Sequence, residues 1–74
     1  MKLSELGPEA LADLLADGTV SVKAATGFTG DTRTALYAAM RAGDLAYFNR
    51  GRRRLIPRKS LVQYLANQAV ANAK

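Results

Sequence analysis

The stretch SVKAATGFTGDTRTALYAAMRAG, residues 21–43, decides the fold because it contains two short amphipathic segments on either side of a glycine. The first segment predicts a helix from Val22 to about Phe28, since Ser21 is a residue type that caps helix N-termini and Gly30 is one that ends helices. The residues expected on its buried side are Val22, Ala25 and Phe28.

The second segment predicts a helix from Arg33 to about Ala42, with Gly43 at its C-terminal end. Either Asp31 or Thr32 can accept the free N–H groups of its first turn. Its apolar stripe consists of Leu36, Ala39 and Met40. Two short helices joined by a glycine-containing turn are typical of the helix-turn-helix motif.

A β-hairpin is expected directly after the second helix. Two short apolar runs, LAYF at residues 45–48 and LI at residues 55–56, flank the segment NRGRRR at residues 49–54. A glycine-containing polar loop between apolar runs is typical of a hairpin. Pro57 ends the second strand, because proline has no N–H to donate to a neighbouring strand.

One further helix is expected on each side of this region. Near the N-terminus, Pro8 suits the first turn of a helix and Gly18 its end, and the leucines between them recur at helical spacing: Leu11, Leu14 and Leu15. The last helix starts between Arg58 and Ser60, and the residues expected to face inward are Leu61, Val62 and Leu65. The predicted fold is α+β and mainly α: a winged helix-turn-helix with a two-stranded hairpin as its wing.

A chain of 74 residues has room for one domain. We divide it into an acidic N-terminal helix packed on the domain (residues 1–18), the winged helix-turn-helix (residues 19–66) and a frayed C-terminal helix end (residues 67–74), where alanine and asparagine leave little to bury. No apolar run is long enough for a membrane span or a signal peptide. A soluble, cytoplasmic protein is therefore expected.

The composition argues against catalysis. The chain has no histidine and no cysteine, so it lacks the residue types that most often act as acid–base catalysts, thiol nucleophiles and metal ligands. Three carboxylates of the N-terminal helix form one ridge at a spacing of four residues, which is typical of a solvated face or of a docking surface: Glu9, Asp13 and Asp17. We expect a protein that is not an enzyme and that takes no cofactor, metal or small-molecule substrate.

The charge of the chain is unevenly distributed. The formal net charge is +5, but residues 1–18 contain one basic and four acidic side chains, whereas residues 19–74 contain ten basic and two acidic ones. A basic domain of this kind indicates a polyanionic partner, most often nucleic acid. The alternative is a basic surface that only promotes solubility.

Two clusters of residues are candidates for DNA contact. On the second helix, Arg33, Tyr37 and Arg41 lie four residues apart on one face, and Thr32 and Thr34 lie at the N-terminal end, where a recognition helix meets base edges and phosphates. In the hairpin, four arginines surround Gly51: Arg50, Arg52, Arg53 and Arg54. Such a wing repels itself unless an anion compensates, although either Arg52 or Arg54 could instead brace the fold internally.

The stretch from Val20 to Leu65 resembles the excisionase-family helix-turn-helix proteins, which share a MerR-like winged fold. The resemblance departs from the family pattern at Asp31, where an apolar residue is common, and at Thr26-Gly27, where a more helix-favouring pair is commoner. It is carried by Ser21-Val22, Gly30-Asp31-Thr32-Arg33, Leu36-Tyr37, Gly43-Asp44-Leu45, Gly51-Arg52-Arg53 and Ile56-Pro57-Arg58.

The resemblance implies an accessory factor that binds and bends DNA beside the attachment site of a mobile element and biases an integrase toward excision. It also implies cooperative self-association on adjacent sites. By this resemblance the major-groove residues are Thr32, Arg33, Thr34, Tyr37 and Arg41, the wing residues are Arg50, Arg52 and Arg53, and Arg58 completes the candidate set.

Several functions remain open at this point. A sequence-preferring binder of double-stranded DNA, acting in recombination and associated with the nucleoid, is the first hypothesis. The same fold also serves small transcriptional regulators and the DNA-binding part of phage terminase small subunits. A protein-interaction module that uses the acidic helix, and a binder of structured RNA, are the competing classes.

Overall fold

The computed structural model describes residues 3–72 of the chain. The parts of the terminal predictions that fall on residues 1–2 and 73–74 lie outside the described residues. A 3₁₀ turn at Leu3–Glu5 is followed by α1 (Pro8–Leu15), β1 (Thr19–Ser21), α2 (Val22–Thr29), α3 (Arg33–Ala42), β2 (Phe48–Arg50), β3 (Arg53–Pro57) and α4 (Arg58–Asn72).

The predicted helix-turn-helix is confirmed, with both of its N-caps in place. The Ser21 hydroxyl accepts a hydrogen bond from the Ala24 N–H at 3.1 Å, and the Thr32 hydroxyl accepts one from the Ala35 N–H at 3.1 Å. Thr32, and not Asp31, is therefore the cap of α3. Gly30 ends α2 with a φ of +77°, in the left-handed region that favours glycine.

The predicted two-stranded hairpin is confirmed as β2 and β3, and within residues 3–72 a third strand that was not predicted, β1, joins it to form one sheet. The strand order is β1-β3-β2, and both pairs are antiparallel. β1 was missed because a strand of three residues is too short to show an alternating pattern, and because its partner β3 is distant in the chain. Pro57 is the last residue of β3, as predicted.

A single apolar core connects the helix-turn-helix, the sheet and α4. Its fully buried side chains come from each of these parts: Leu36 on α3, Leu45 in the loop before β2, Ile56 on β3 and Leu61 on α4. Because α3 and the inner end of β3 share this core, packing holds them in a fixed arrangement relative to each other.

Two residues expected inside the protein are exposed. Phe28 is 49% exposed and Val62 is 50% exposed. Three residues turn an α-helix by about 60° less than a full turn. Phe28 is two such steps from the buried Val22, so it lies on a different side of the helix. Thr29, one residue further, lies on nearly the same side as Val22. In α4 the same geometry buries Tyr64 beside Leu61 and turns Val62 outward.

The acidic helix α1 packs more loosely than the rest of the fold. Its leucines are half-buried, and none of its residues is fully buried. It contacts α4, and Lys59 donates a hydrogen bond from Nζ to the backbone carbonyl of Asp13 at 2.9 Å. The Lys59 ammonium therefore lies at the C-terminal end of α1, where the helix dipole favours positive charge.

Candidate nucleic-acid interface

An open groove separates α3 from the hairpin formed by β2 and β3. Five basic side chains from three segments of the chain line it: Lys23, Arg33, Arg52, Arg53 and Arg54. No carboxylate of residues 3–72 is among the lining residues. The groove therefore concentrates positive charge on one side of the molecule, which is the arrangement that attracts a polyanion.

The α3 wall of the groove presents the predicted helical face. Arg33 is the first residue of α3, Tyr37 follows one turn later, and both line the groove. Thr32 and Thr34 are exposed at the N-terminal end of the helix. Arg41 lies one turn beyond Tyr37 and is exposed, outside the lining of the groove.

The register of the hairpin divides the arginines of its two strands between the two faces of the sheet. Asn49 pairs with Arg54, and Arg50 pairs with Arg53. Because neighbouring residues of a strand point to opposite faces, Arg54 shares a face with Asn49, whereas Arg50 and Arg53 share the other face at the tip. Like charges directly opposite each other are destabilising, so an anion at the tip would relieve this repulsion.

Arg54 is the arginine that braces the fold internally, and Arg52 is exposed. The guanidinium carbon of Arg54 lies 4.9 Å from the centre of the Tyr37 ring and 4.5 Å from the centre of the Tyr47 ring. Its Nη1 lies 3.7 Å from the sulfur of Met40. These contacts attach β3 to α3.

The nine predicted site residues therefore fall into two groups. Four of them line one groove: Arg33, Tyr37, Arg52 and Arg53. The other five are exposed but do not line it: Thr32, Thr34, Arg41, Arg50 and Arg58. Arg58 is the first residue of α4, and its N–H donates to the Gly18 carbonyl at 2.9 Å. Contact of the nine residues with DNA stays a prediction.

Three polar residues that line the groove were not among the predicted site residues: Ser21, Lys23 and Asn49. Lys23 reaches it from the first turn of α2, and Asn49 reaches it from β2. Asn49 could have been found by pairing the two strands across Gly51, which puts it opposite Arg54. Lys23 could not, because its position beside the wing depends on how α2 packs on the sheet.

The two carboxylates of the basic region lie away from the groove lining. Burial raises the pKa of the Tyr64 hydroxyl, and the negative charges of Asp31 and Asp44 raise it further. Both carboxylates are thus close enough to α4 to act on Tyr64, and neither lines the groove. Asp31, where the sequence departs from the excisionase-family pattern, therefore does not place a negative charge between α3 and the wing.

Residues 3–72 contain neither a cluster of candidate metal ligands nor a helix able to cross a membrane. No group of three or more carboxylates, histidines or cysteines is arranged to hold a metal ion in this part of the chain. Over the same residues, none of the helices combines the length and apolarity that crossing a membrane requires.

Two capped helices, with a basic groove between the second helix and a β-hairpin, define the molecule as a winged helix-turn-helix protein, a class that binds DNA. The family model described as a helix-turn-helix domain matches residues 21–69, which is more than half of the chain. The chain belongs to this family, and DNA is its partner. Comparison with curated proteins and with solved structures gave no match.

Proposed function

We propose that the protein is a sequence-preferring binder of double-stranded DNA that acts as a recombination directionality factor of the excisionase type. In this role it binds and bends DNA near the attachment site of a mobile element and biases an integrase toward excision. The observation that carries the proposal is the groove in which Arg33 and Tyr37 of α3 face the arginines of the wing.

The two walls of the groove suit different parts of DNA. Arg33 lies at the N-terminal end of α3, where a recognition helix meets base edges, and a bidentate arginine–guanine pair contributes about 1–3 kcal/mol of discrimination. Arg50, Arg52 and Arg53 are exposed at the wing tip, where they suit phosphates or a narrow minor groove. The helix would thus specify the sequence and the wing would hold and bend the duplex.

The proposed role is architectural and involves no chemistry on DNA. The groove contains arginine, lysine, tyrosine, asparagine and serine side chains, which bind and orient a polyanion. A protein without histidine or cysteine fits a factor that changes the path of DNA for a separate recombinase. The integrase is therefore proposed as a protein partner, with association with the nucleoid as a consequence of DNA binding.

Self-association on adjacent DNA sites is part of the proposal. Residues 61–72 of α4 carry no charged side chain, and this helix exposes Val62 and, at 78%, Val70. These two residues are eight apart and so lie on one helical face. Two copies of a chain with a net charge of +5 repel each other least where they meet through an uncharged surface.

The decisive experiment is a binding titration against duplex DNA at several salt concentrations. Replacing both Arg52 and Arg53 by alanine should weaken binding to all sequences and reduce the slope of log K against log salt by about 0.9 for each phosphate that the variant no longer neutralises. The matched control carries both Ala12→Glu and Ala16→Glu, because this pair lowers the net charge by the same amount at exposed positions that do not line the groove. An unchanged slope in the double variant would remove the wing from the proposal.

Bending and biological role need separate measurements. Gel mobility of a bound site placed at different positions in one fragment should vary with position if the protein bends DNA. In a recombination assay with the integrase of the same element, the protein should raise excision over integration. Binding without either effect would favour a small transcriptional regulator or a terminase small-subunit-like role, and failure to bind duplex DNA would favour a protein-interaction module or RNA.

A further inference from the structure

We infer that Arg54 is a positioning residue that fixes the wing relative to α3 and is not itself a phosphate contact. The inference rests on the proposed DNA-binding function and names the residue that sets the geometry of its site. It assigns Arg54 a different role from that of the three other wing arginines, which are close to it in sequence and have the same side chain.

The Arg54 guanidinium joins three segments of the chain. It lies against the Tyr37 ring on α3 and the Tyr47 ring in the loop before β2, at 4.9 and 4.5 Å from their centres. Both distances are within the range of about 6 Å in which a cation is attracted to an aromatic face. The contact of its Nη1 with the buried Met40 adds a second attachment to α3, three residues from the first.

The hairpin needs such an attachment. β2 has three residues and β3 has five, and the tip from Asn49 to Arg53 is exposed. A short two-stranded ribbon is only marginally stable by itself in water. The third strand β1 pairs with residues 55–57 of β3, which leaves the outer half of the wing beyond its reach. Arg54 is the first residue of β3 outside that pairing.

Arginine suits this position better than lysine. The guanidinium is planar, so it can lie against two rings at once, whereas an ammonium is a compact and strongly hydrated point charge. Arg54 is half-buried while Arg50, Arg52 and Arg53 are exposed. A guanidinium held against two rings has fewer directions left for a phosphate, so the exposed arginines are the ones available for DNA.

The test compares Arg54→Lys with Lys59→Arg, since both changes keep the net charge. We expect Arg54→Lys to lower the affinity for duplex DNA by roughly tenfold, because each stacking contact contributes of the order of the cation–π range, with the salt slope unchanged. Lys59→Arg should stay close to the wild type, because Lys59 is exposed on α4 and does not line the groove. Wild-type affinity for Arg54→Lys would overturn the inference, and so would a lowered salt slope.

A second variant tests the stack from its other side. Tyr47 does not line the groove, so Tyr47→Leu should weaken DNA binding only through Arg54. The loss of affinity in the variant carrying both Tyr47→Leu and Arg54→Lys should then be smaller than the product of the two single losses. Fully multiplicative losses would show that the two residues act independently and would contradict the inference.

Amide hydrogen exchange in the free protein tests the positioning role without DNA. We expect Arg54→Lys to speed exchange of the interstrand amides of residues 48–54 several-fold while the amides of the core helices keep their protection. If the wild type binds no duplex DNA, the proposed function fails, and this exchange measurement still decides whether Arg54 holds the wing. Unchanged exchange in the wing would overturn the inference.

Discussion

The α3–wing face and the α1 helix differ in charge, burial and attachment to the core. The face is basic and rests on fully buried side chains such as Leu36 and Ile56, whereas α1 is acidic and has no fully buried residue. Side chains that must hold a fixed geometry against a rigid partner need a rigid support. The difference supports the proposal that the basic face is the surface that binds DNA, with α1 as an accessory to it.

The largest difference in stability between the two regions is expected when one leucine in each region is replaced by alanine. Leu36→Ala removes a fully buried side chain and should lower the free energy of unfolding by about 2–5 kcal/mol. Leu14→Ala removes a half-buried side chain of α1 and should cost less than half as much. Urea unfolding followed by circular dichroism measures both. Equal losses would show that α1 is as integral to the fold as α3.

Removing the charge at the start of α3 should change the sequence preference of DNA binding. Arg33→Ala should cost about 1–3 kcal/mol against the preferred base and less against others, because alanine cannot pair with a base edge. Selection of binding sites from a random pool, compared between wild type and variant, measures this. If the wild type and the variant select the same motif, Arg33 contacts a phosphate and not a base. Both walls of the groove would then bind the DNA backbone.

Burial of Tyr64, reinforced by two nearby carboxylates, should make the stability of the protein depend on pH at high pH. Burial raises the pKa of Tyr64 above its ordinary value of 10.0, and Asp31 and Asp44 raise it further. The folded state thus favours the neutral phenol, so its contribution to stability is fully present below pH 10.0 and is lost as the pH rises through the folded-state pKa.

Tyr64→Phe cannot ionise and should lack this component of the alkaline loss. The measurement is the free energy of unfolding of both proteins from about pH 8 to 11, a range that spans the ordinary tyrosine pKa. Lysines contribute equally to both curves, so the difference isolates Tyr64. Parallel curves for the two proteins would contradict the prediction.

The smallest effect concerns the attachment of α1. Lys59→Met keeps the apolar stem but removes the hydrogen bond to the Asp13 carbonyl. Because this bond is exposed, we expect the free energy of unfolding to fall by only about 0.5–1 kcal/mol, with no change in DNA affinity. Thermal unfolding and the binding titration together measure it. Weaker DNA binding in this variant would show that α1 supports the basic face directly.

Local sequence rules predicted the helix-turn-helix almost in full. Ser21, Gly30, Thr32 and Gly43 act within one helical turn of themselves, so their effects on caps and helix ends can be read without the rest of the fold. The hairpin was predicted for the same reason, since Gly51 and the flanking apolar runs are neighbours in sequence. Excess positive charge after residue 18 indicated the type of partner from composition alone.

Local sequence rules could not predict the contacts between segments that are distant in the chain. β1 exists only because β3 folds back beside it. That Arg54 and not Arg52 contacts the fold internally likewise depends on two tyrosines in other segments of the chain. The outward position of Phe28, by contrast, follows from helical spacing, which the prediction of a buried Phe28 applied too loosely.

The sequence by itself determined two capped helices, a glycine turn rich in arginine and an excess of positive charge, because each depends on neighbouring residues or on composition. Tertiary structure alone decided that Arg33 and Tyr37 face Arg52 and Arg53 across one groove, that Lys23 and Asn49 join them, and that Arg54 turns inward. Those outcomes depend on the packing of α3 and the wing on a shared core, and packing joins residues that the chain keeps apart.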